Sequence, residues 1–129
     1  MSAPRFPVSI KGVMTIGGRI PLLLNEREEW ELPGGRLESG EQPEQALVRE
    51  LQEELNIQTR IERILDSWLY AIPGHGEVVI VTYACAVLCS EELRYSFEHK
   101  NLLLALPNDL SQLALPEGYR RSINKFTSG

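Results

Sequence analysis

The sequence predicts an α/β fold, a mixed sheet covered by helices on both faces. Apolar, β-branched segments recur along the chain, two segments carry helix signals, and the two kinds alternate rather than segregating into halves. At 129 residues the chain is long enough to bury roughly two-thirds of its unfolded surface. Residues 1–129 are therefore expected to form a single domain.

Val8 to Ile16 is rich in apolar and β-branched residues, which predicts a strand with a bulge at Gly12. Gly17-Gly18 is a turn signal, and Ile20 to Asn25 reads as the next strand, limited at its start by Pro21. Trp30 to Leu32 predicts a short strand leading into a Pro33-Gly34-Gly35 loop. Pro43 suits the first turn of a helix, with Gln42 as a mediocre cap. That helix should run to Leu55, because Leu47, Leu51 and Leu55 recur at i, i+4 and i+8 as one buried stripe.

An extended stretch follows, predicted as a strand around Ile61 to Tyr70, then a Pro73-Gly-His-Gly76 loop. Glu77 to Leu88 carries Val78, Val79, Ile80, Val81 and Tyr83, the composition of a buried strand. Leu102 to Leu106 predicts a further strand. Pro107-Asn-Asp109 would open a short helix, and Pro116 to Phe126 reads as a terminal helix.

A formal net charge of −5 without any Lys/Arg run disfavours nucleic-acid polymer as a partner, since that binding leans on a basic footprint. A small anion stays compatible if a divalent cation mediates. No apolar stretch is long enough to span a membrane, and the N-terminus lacks the basic-then-apolar order of a secretory signal. Cys85 and Cys89 sit in an apolar run with a spacing unlike metal-binding pairs. They are expected to be buried free thiols in a reducing cytosol, so the expected location is cytoplasmic.

The chemistry concentrates on the first helix. Glu50, Glu53 and Glu54 are related by i,i+3 and i,i+4, so three carboxylates would project beside the leucine stripe about 5–6 Å apart. Like charges so placed destabilise an isolated helix, and a cluster of hard oxygen ligands suits Mg²⁺ or Mn²⁺. One element would thus both dock on the core and present acids.

The wider segment reads Gly35, five residues, Glu41, seven residues, then Arg49-Glu50-Leu51-Gln52-Glu53-Glu54-Leu55-Asn56-Ile57. This resembles the Nudix box at every fixed position except the final glycine, here Asn56. Asparagine tolerates the left-handed geometry of a helix end better than other residues after glycine. Trp30-Glu-Leu-Pro-Gly-Gly35 also resembles the approach to that box. The resemblance implies an α/β/α sandwich and a Mg²⁺-dependent pyrophosphohydrolase. The substrate would be a nucleoside diphosphate linked to another moiety, ADP-ribose-like, a nucleotide sugar or a (d)NTP.

By the same resemblance Glu50, Glu53 and Glu54 would ligate metal, with the backbone carbonyl of Gly35 completing the site. Arg49 and Glu41 are either solvated surface charges or supports, and the resemblance favours supports. Glu38 and Glu44 read as surface residues. The general base is either Glu53 or a distant loop acid, for which Glu98 in Ser96-Phe-Glu-His-Lys100 is the candidate. His75 and His99 are weaker candidates for contacting phosphate. Arg27, Trp30 and Gly34 are candidates for substrate contact. Pro73, 16 residues after Ile57, resembles the ADP-ribose-hydrolysing branch of the family, whereas the short chain resembles the MutT-like branch. Two other readings compete: a catalytically weak nucleotide sensor, which would be expected to have lost one of the three glutamates, and an isopentenyl-diphosphate-isomerase-like enzyme needing a placed cysteine. Many relatives dimerise, so a homodimer is part of the expectation.

Overall fold

A computed structural model describes residues 3–96 and 98–129. In chain order its elements are β1 (Val8–Val13), β2 (Ile20–Leu24), β3 (Trp30–Glu31), β4 (Gly34–Arg36), α1 (Pro43–Leu55), β5 (Gln58–Ile72), β6 (Gly76–Cys89), β7 (Asn101–Ala105), a 3₁₀ helix (Pro107–Gln112) and α2 (Glu117–Ser128). The strands form a four-stranded sheet in the order β4-β1-β6-β5 and a three-stranded sheet in the order β3-β2-β7. β1 runs parallel to β6, and all other pairs are antiparallel, so the predicted mixed sheet is present.

The two faces follow from strand alternation. On β6, Val78 and Ile80 face a core shared with Val13, Ile20, Leu22 and Leu32 and with Tyr119 and Ile123 of α2. Val81, Tyr83, Cys85 and Val87 face the opposite core, shared with Ile10, Met14 and with Leu47, Leu51 and Leu55 of α1. The leucine stripe predicted from spacing is fully buried in that second core. A helix therefore covers each face.

The structure corrects three expectations. Gly12 is not at a bulge, because it pairs in regular register with Tyr83; the register shifts lie in β5, at Gln58/Thr59, Ile61/Arg63 and Ile64/Asp66. The Gly34-Gly35 segment, expected as loop, is β4, hydrogen-bonded to β1 with Ile10 opposite Gly35 and Lys11 opposite Gly34. Gly34 has φ +145°, and a Cβ there would strike the backbone of Ile10, so only glycine allows this close pairing. Cys85 is buried but Cys89, at the end of β6, is exposed.

Helix α1 begins and ends where the sequence places it. At its start the Gln45 side chain accepts from the Gln42 backbone N–H at 3.1 Å. At its end Asn56 is left-handed, φ 57° and ψ 42°, with its N–H bonded to the Gln52 carbonyl. The Asn56 side chain also accepts from Gln52 Nε2 at 2.9 Å and donates to the Glu92 carbonyl at 3.1 Å. Asn56→Gly should relieve the left-handed strain while losing these two surface bonds, leaving stability within about 1 kcal/mol of the parent. A fall above about 2 kcal/mol in urea unfolding would show that the side-chain bonds, not the dihedral, hold this end.

Candidate active site

Glu38, Arg49, Glu50, Glu53, Glu54, Ser96 and Glu98 line one cleft of about 360 Å³. The first helix supplies four of these, as its spacing requires. Glu98 comes from the segment after β6, which is fastened at several points. Arg94 N–H donates to the Leu55 carbonyl at 3.1 Å and Lys100 N–H to the Leu24 carbonyl at 3.0 Å. The Lys100 ammonium pairs with Glu28, and His99 Nε2 is bonded to Glu31 Oε1 at 2.8 Å. These ties bring a residue distant in sequence against the acids of α1.

Arg49 organises the open side of the cleft. Its guanidinium meets Glu41 Oε2 at 2.7 Å, Glu50 Oε1 at 3.0 Å, Glu53 Oε2 at 3.2 Å and Glu38 Oε1 at 3.6 Å. The hydrogen bonds from Arg49 hold the Glu41 carboxyl below its ordinary range. Glu41 also accepts from the Glu38 backbone N–H at 3.2 Å, tying the loop before α1 to the helix. Glu38, read as a surface residue, is largely exposed yet lines the cleft. Glu44 lies outside it, on the helix face near Val48.

The three helix acids are not equivalent. Glu53 is open, its side chain 60% exposed. Glu50 is half-buried, and desolvation raises its pKa against the pull of Arg49. Glu54 turns inward and is only 4% exposed, where the spacing places it beside its two companions on the acid face. It accepts from the Gly34 N–H at 3.0 Å, and His99 Nδ1 stands 3.3 Å from its other oxygen. Burial raises its pKa, with Lys11 and the Gly34 N–H acting the other way.

Gly35 faces the Glu50 carboxylate so closely that a Cβ at this position would overlap it. The donor set therefore has the chemistry of a hard-cation site: clustered carboxylates with a backbone strand packed directly against one of them. Among the described residues no three acids converge on a single point, because Arg49 engages Glu50 and Glu53 while Gly34 engages Glu54. A cation entering the cleft would compete with Arg49 for Glu50 and Glu53.

A second cavity, of about 200 Å³, adjoins at Gly35 and is lined also by Lys11, Arg27, Glu31, Arg36, Tyr70 and Tyr119. Of the candidates for substrate contact, Arg27 lines it, held by Glu29 at 3.2 Å. Gly34 spends its N–H on Glu54. Trp30 packs against the core around Leu22 and Leu32 and lines neither cavity. His75 sits in the turn between β5 and β6, its N–H bonded to the Ile72 carbonyl, and also lines neither.

Lys11, Glu31 and the structural part played by His99 were not among the residues expected at the site. Burial of Glu31 opposes its ionisation, but Lys11 and His99 outweigh that and hold it at about 2. The available signal was Lys11 itself, the one charged residue within Val8–Ile16, on a strand otherwise built for the core.

A family model described as NUDIX domain matches residues 7–126. The 8-oxo-dGTP diphosphatase of Proteus vulgaris is 52% identical over 44 residues, which is 34% of this chain and 39% of that enzyme. The matched stretch thus spans well under half of that relative. Among solved structures, the MutT protein from Methanosarcina mazei Go1 superposes with a TM-score of 0.81 at 18% identity, covering 99% of this chain and 97% of that one. The E. coli ORF135 protein superposes with a TM-score of 0.74 at 25% identity, covering 96% and 90%.

Proposed function

Because this chain belongs to the NUDIX family, we propose that it is a hydrolase that cleaves the phosphoanhydride of a nucleoside diphosphate linked to a further group. The observation that carries this reading is the shared cleft of Glu50, Glu53, Glu54 and Glu98 beside Gly35. With Glu38, five acids line this cavity, and in an acidic protein they would repel a phosphate chain unless a cation intervenes. Glu50, Glu53 and Glu54 with the Gly35 carbonyl would hold Mg²⁺ or Mn²⁺. A divalent ion bound there would offset the phosphate charge and lower the pKa of a bound water.

The remaining work falls to the side chains. Arg49, tied to Glu41, keeps Glu50 and Glu53 oriented along the helix edge. Glu53 or Glu98 accepts a proton from the water as its oxygen bonds to phosphorus and the bridging P–O bond breaks. Arg36 is exposed at the mouth of the adjoining cavity and makes no side-chain hydrogen bond or ion pair among the described residues. It is positioned to meet phosphate oxygens that the carboxylates cannot approach. Glu98→Gln should cost at least about tenfold in kcat if the loop acid is the base. A smaller loss would assign the proton to Glu53.

The local similarity to an 8-oxo-dGTP diphosphatase favours a (d)NTP, whereas Pro73, at the β5–β6 turn, favours ADP-ribose. The test is phosphate release over dNTPs, ADP-ribose, nucleotide sugars, dinucleoside polyphosphates and NADH, with and without Mg²⁺. Metal-dependent turnover of any of these supports the hydrolase. Binding with no turnover would instead make the chain a nucleotide sensor. The proposal also includes a cytoplasmic location, consistent with two free thiols. It further includes a homodimer, which sedimentation would detect. No helix among the described residues is long and apolar enough to cross a membrane.

A further inference from the structure

We propose that Lys11 is a specificity residue that donates to a ring carbonyl oxygen of an oxo nucleobase held in the cavity beside the acid cleft. This rests on the reading above that the chain takes nucleotides, and it names which ones.

The Lys11 side chain is only 9% exposed, and its nearest carboxylate oxygen, Glu31 Oε1, is 3.9 Å away, beyond hydrogen-bond reach. That oxygen is already engaged by His99 Nε2 at 2.8 Å. The ammonium makes no hydrogen bond among the described residues. Burial opposes its charge, but Glu31 beside it favours the charged form. A buried ammonium with unmade bonds is costly, and this one faces a cavity rather than packed core.

The cavity's shape and polarity narrow the ligand. Tyr70, Ile72, Val78, Ile80 and Tyr119 give it apolar walls suited to a flat ring. Its charged groups are mostly donors, Lys11, Arg27 and Arg36, while Ser9 and the hydroxyls of Tyr70 and Tyr119 can give or accept. The charged acceptor is Glu31, whose Oε1 is taken by His99 and whose Oε2 receives Asn25 Nδ2 at 3.4 Å. A carbonyl at purine C6 or pyrimidine C4 supplies the acceptor that Lys11 lacks. An amino group in the same place would set donor against donor and leave both unpaired. Oxo bases (hypoxanthine, guanine, uracil, thymine) should therefore be preferred to the amino bases adenine and cytosine. Gly35, shared by this cavity and the Glu50 contact, puts the diphosphate of such a nucleotide next to the acids.

The test is equilibrium binding to the full chain by calorimetry, using two pairs that differ only by oxo for amino: IMP against AMP, and UMP against CMP. At least about tenfold tighter binding of IMP and UMP is expected, as for a site built around one hydrogen bond. The preference should vanish in Lys11→Met, which keeps the chain length without the charge. Equal affinity within each pair, or an undiminished preference in Lys11→Met, would overturn the proposal. If Lys11→Met does not fold, the wild-type comparison alone decides. Monophosphates cannot be hydrolysed here, so the two readings fail separately. Oxo preference without turnover in the phosphate-release panel removes only the hydrolase, and turnover without oxo preference removes only the role of Lys11. No binding by any of the four removes the role of Lys11 as well.

Discussion

Glu53→Gln is expected to lower kcat by about a hundredfold or more while leaving the melting temperature close to that of the parent. Removal of a positioned acid–base group costs 10² to 10⁴, roughly, and loss of a metal-ligand charge acts in the same direction. The stability side is small because the Glu53 side chain is 60% exposed and its ion pair to Arg49, at 3.2 Å, is a surface i,i+4 contact. Such pairs contribute about 0.3–0.5 kcal/mol. Steady-state kinetics on the preferred nucleotide, with a thermal melt alongside, would show the dissociation of activity from stability. Turnover close to wild type would remove Glu53 from the mechanism and leave Glu98 as the acid to test next.

Leu51→Ala should have the opposite profile, a loss of about 2–5 kcal/mol in unfolding free energy. Leu51 has no exposed surface, and Leu47 and Leu55 flank it on the same stripe of α1. Its Cδ1 lies in the space beside Gly12 of β1, 3.5 Å from where a Cβ on that glycine would stand. Met14, whose Cε stands 2.9 Å from that same point, is the one neighbour flexible enough to refill part of the gap, which sets the lower end of the range. Against a total stability of roughly 5–15 kcal/mol, this is a large fraction. Urea unfolding reports it directly. Val48→Ala is the control, since Val48 is 38% exposed on the solvent side of the same helix. A loss below about 1 kcal/mol at Leu51 would mean that the leucine stripe does not carry the docking of α1.

The reach of the sequence is clearest on α1. Its limits, its buried stripe and its cluster of acids all follow from 3.6-residue periodicity, and a local rule needs no knowledge of the partner surface. The central strands β1 and β6 were legible for a similar reason, since runs of β-branched residues announce burial. β4 was not, because Gly-Gly-Arg has no strand propensity; it becomes a strand only because β1 offers it a partner. Spacing brings the three acids to one cleft but does not set how each carboxylate is oriented. Periodicity sets the direction of a Cβ, whereas the Gly34 N–H and His99 decide that the Glu54 carboxylate lies inside and not on the acid face.

Residues far apart in sequence were harder still. His99 looked incidental in a loop, yet its ring sits between Glu31 and Glu54, which are 23 positions apart. Lys11 stood out only as a charge in an apolar strand. Its significance depends on a cavity walled by β5, β6 and α2, none of which is close to it along the chain.

The family, the α/β class and the helix on which the acids stand are thus written in local spacing. Which carboxylates are buried, that Glu98 joins them, and that Lys11 faces a cavity without a hydrogen-bond partner among the described residues follow only from the tertiary structure. Those properties depend on desolvation and on contacts between distant segments, and neither exists until the two cores have closed around the sheet.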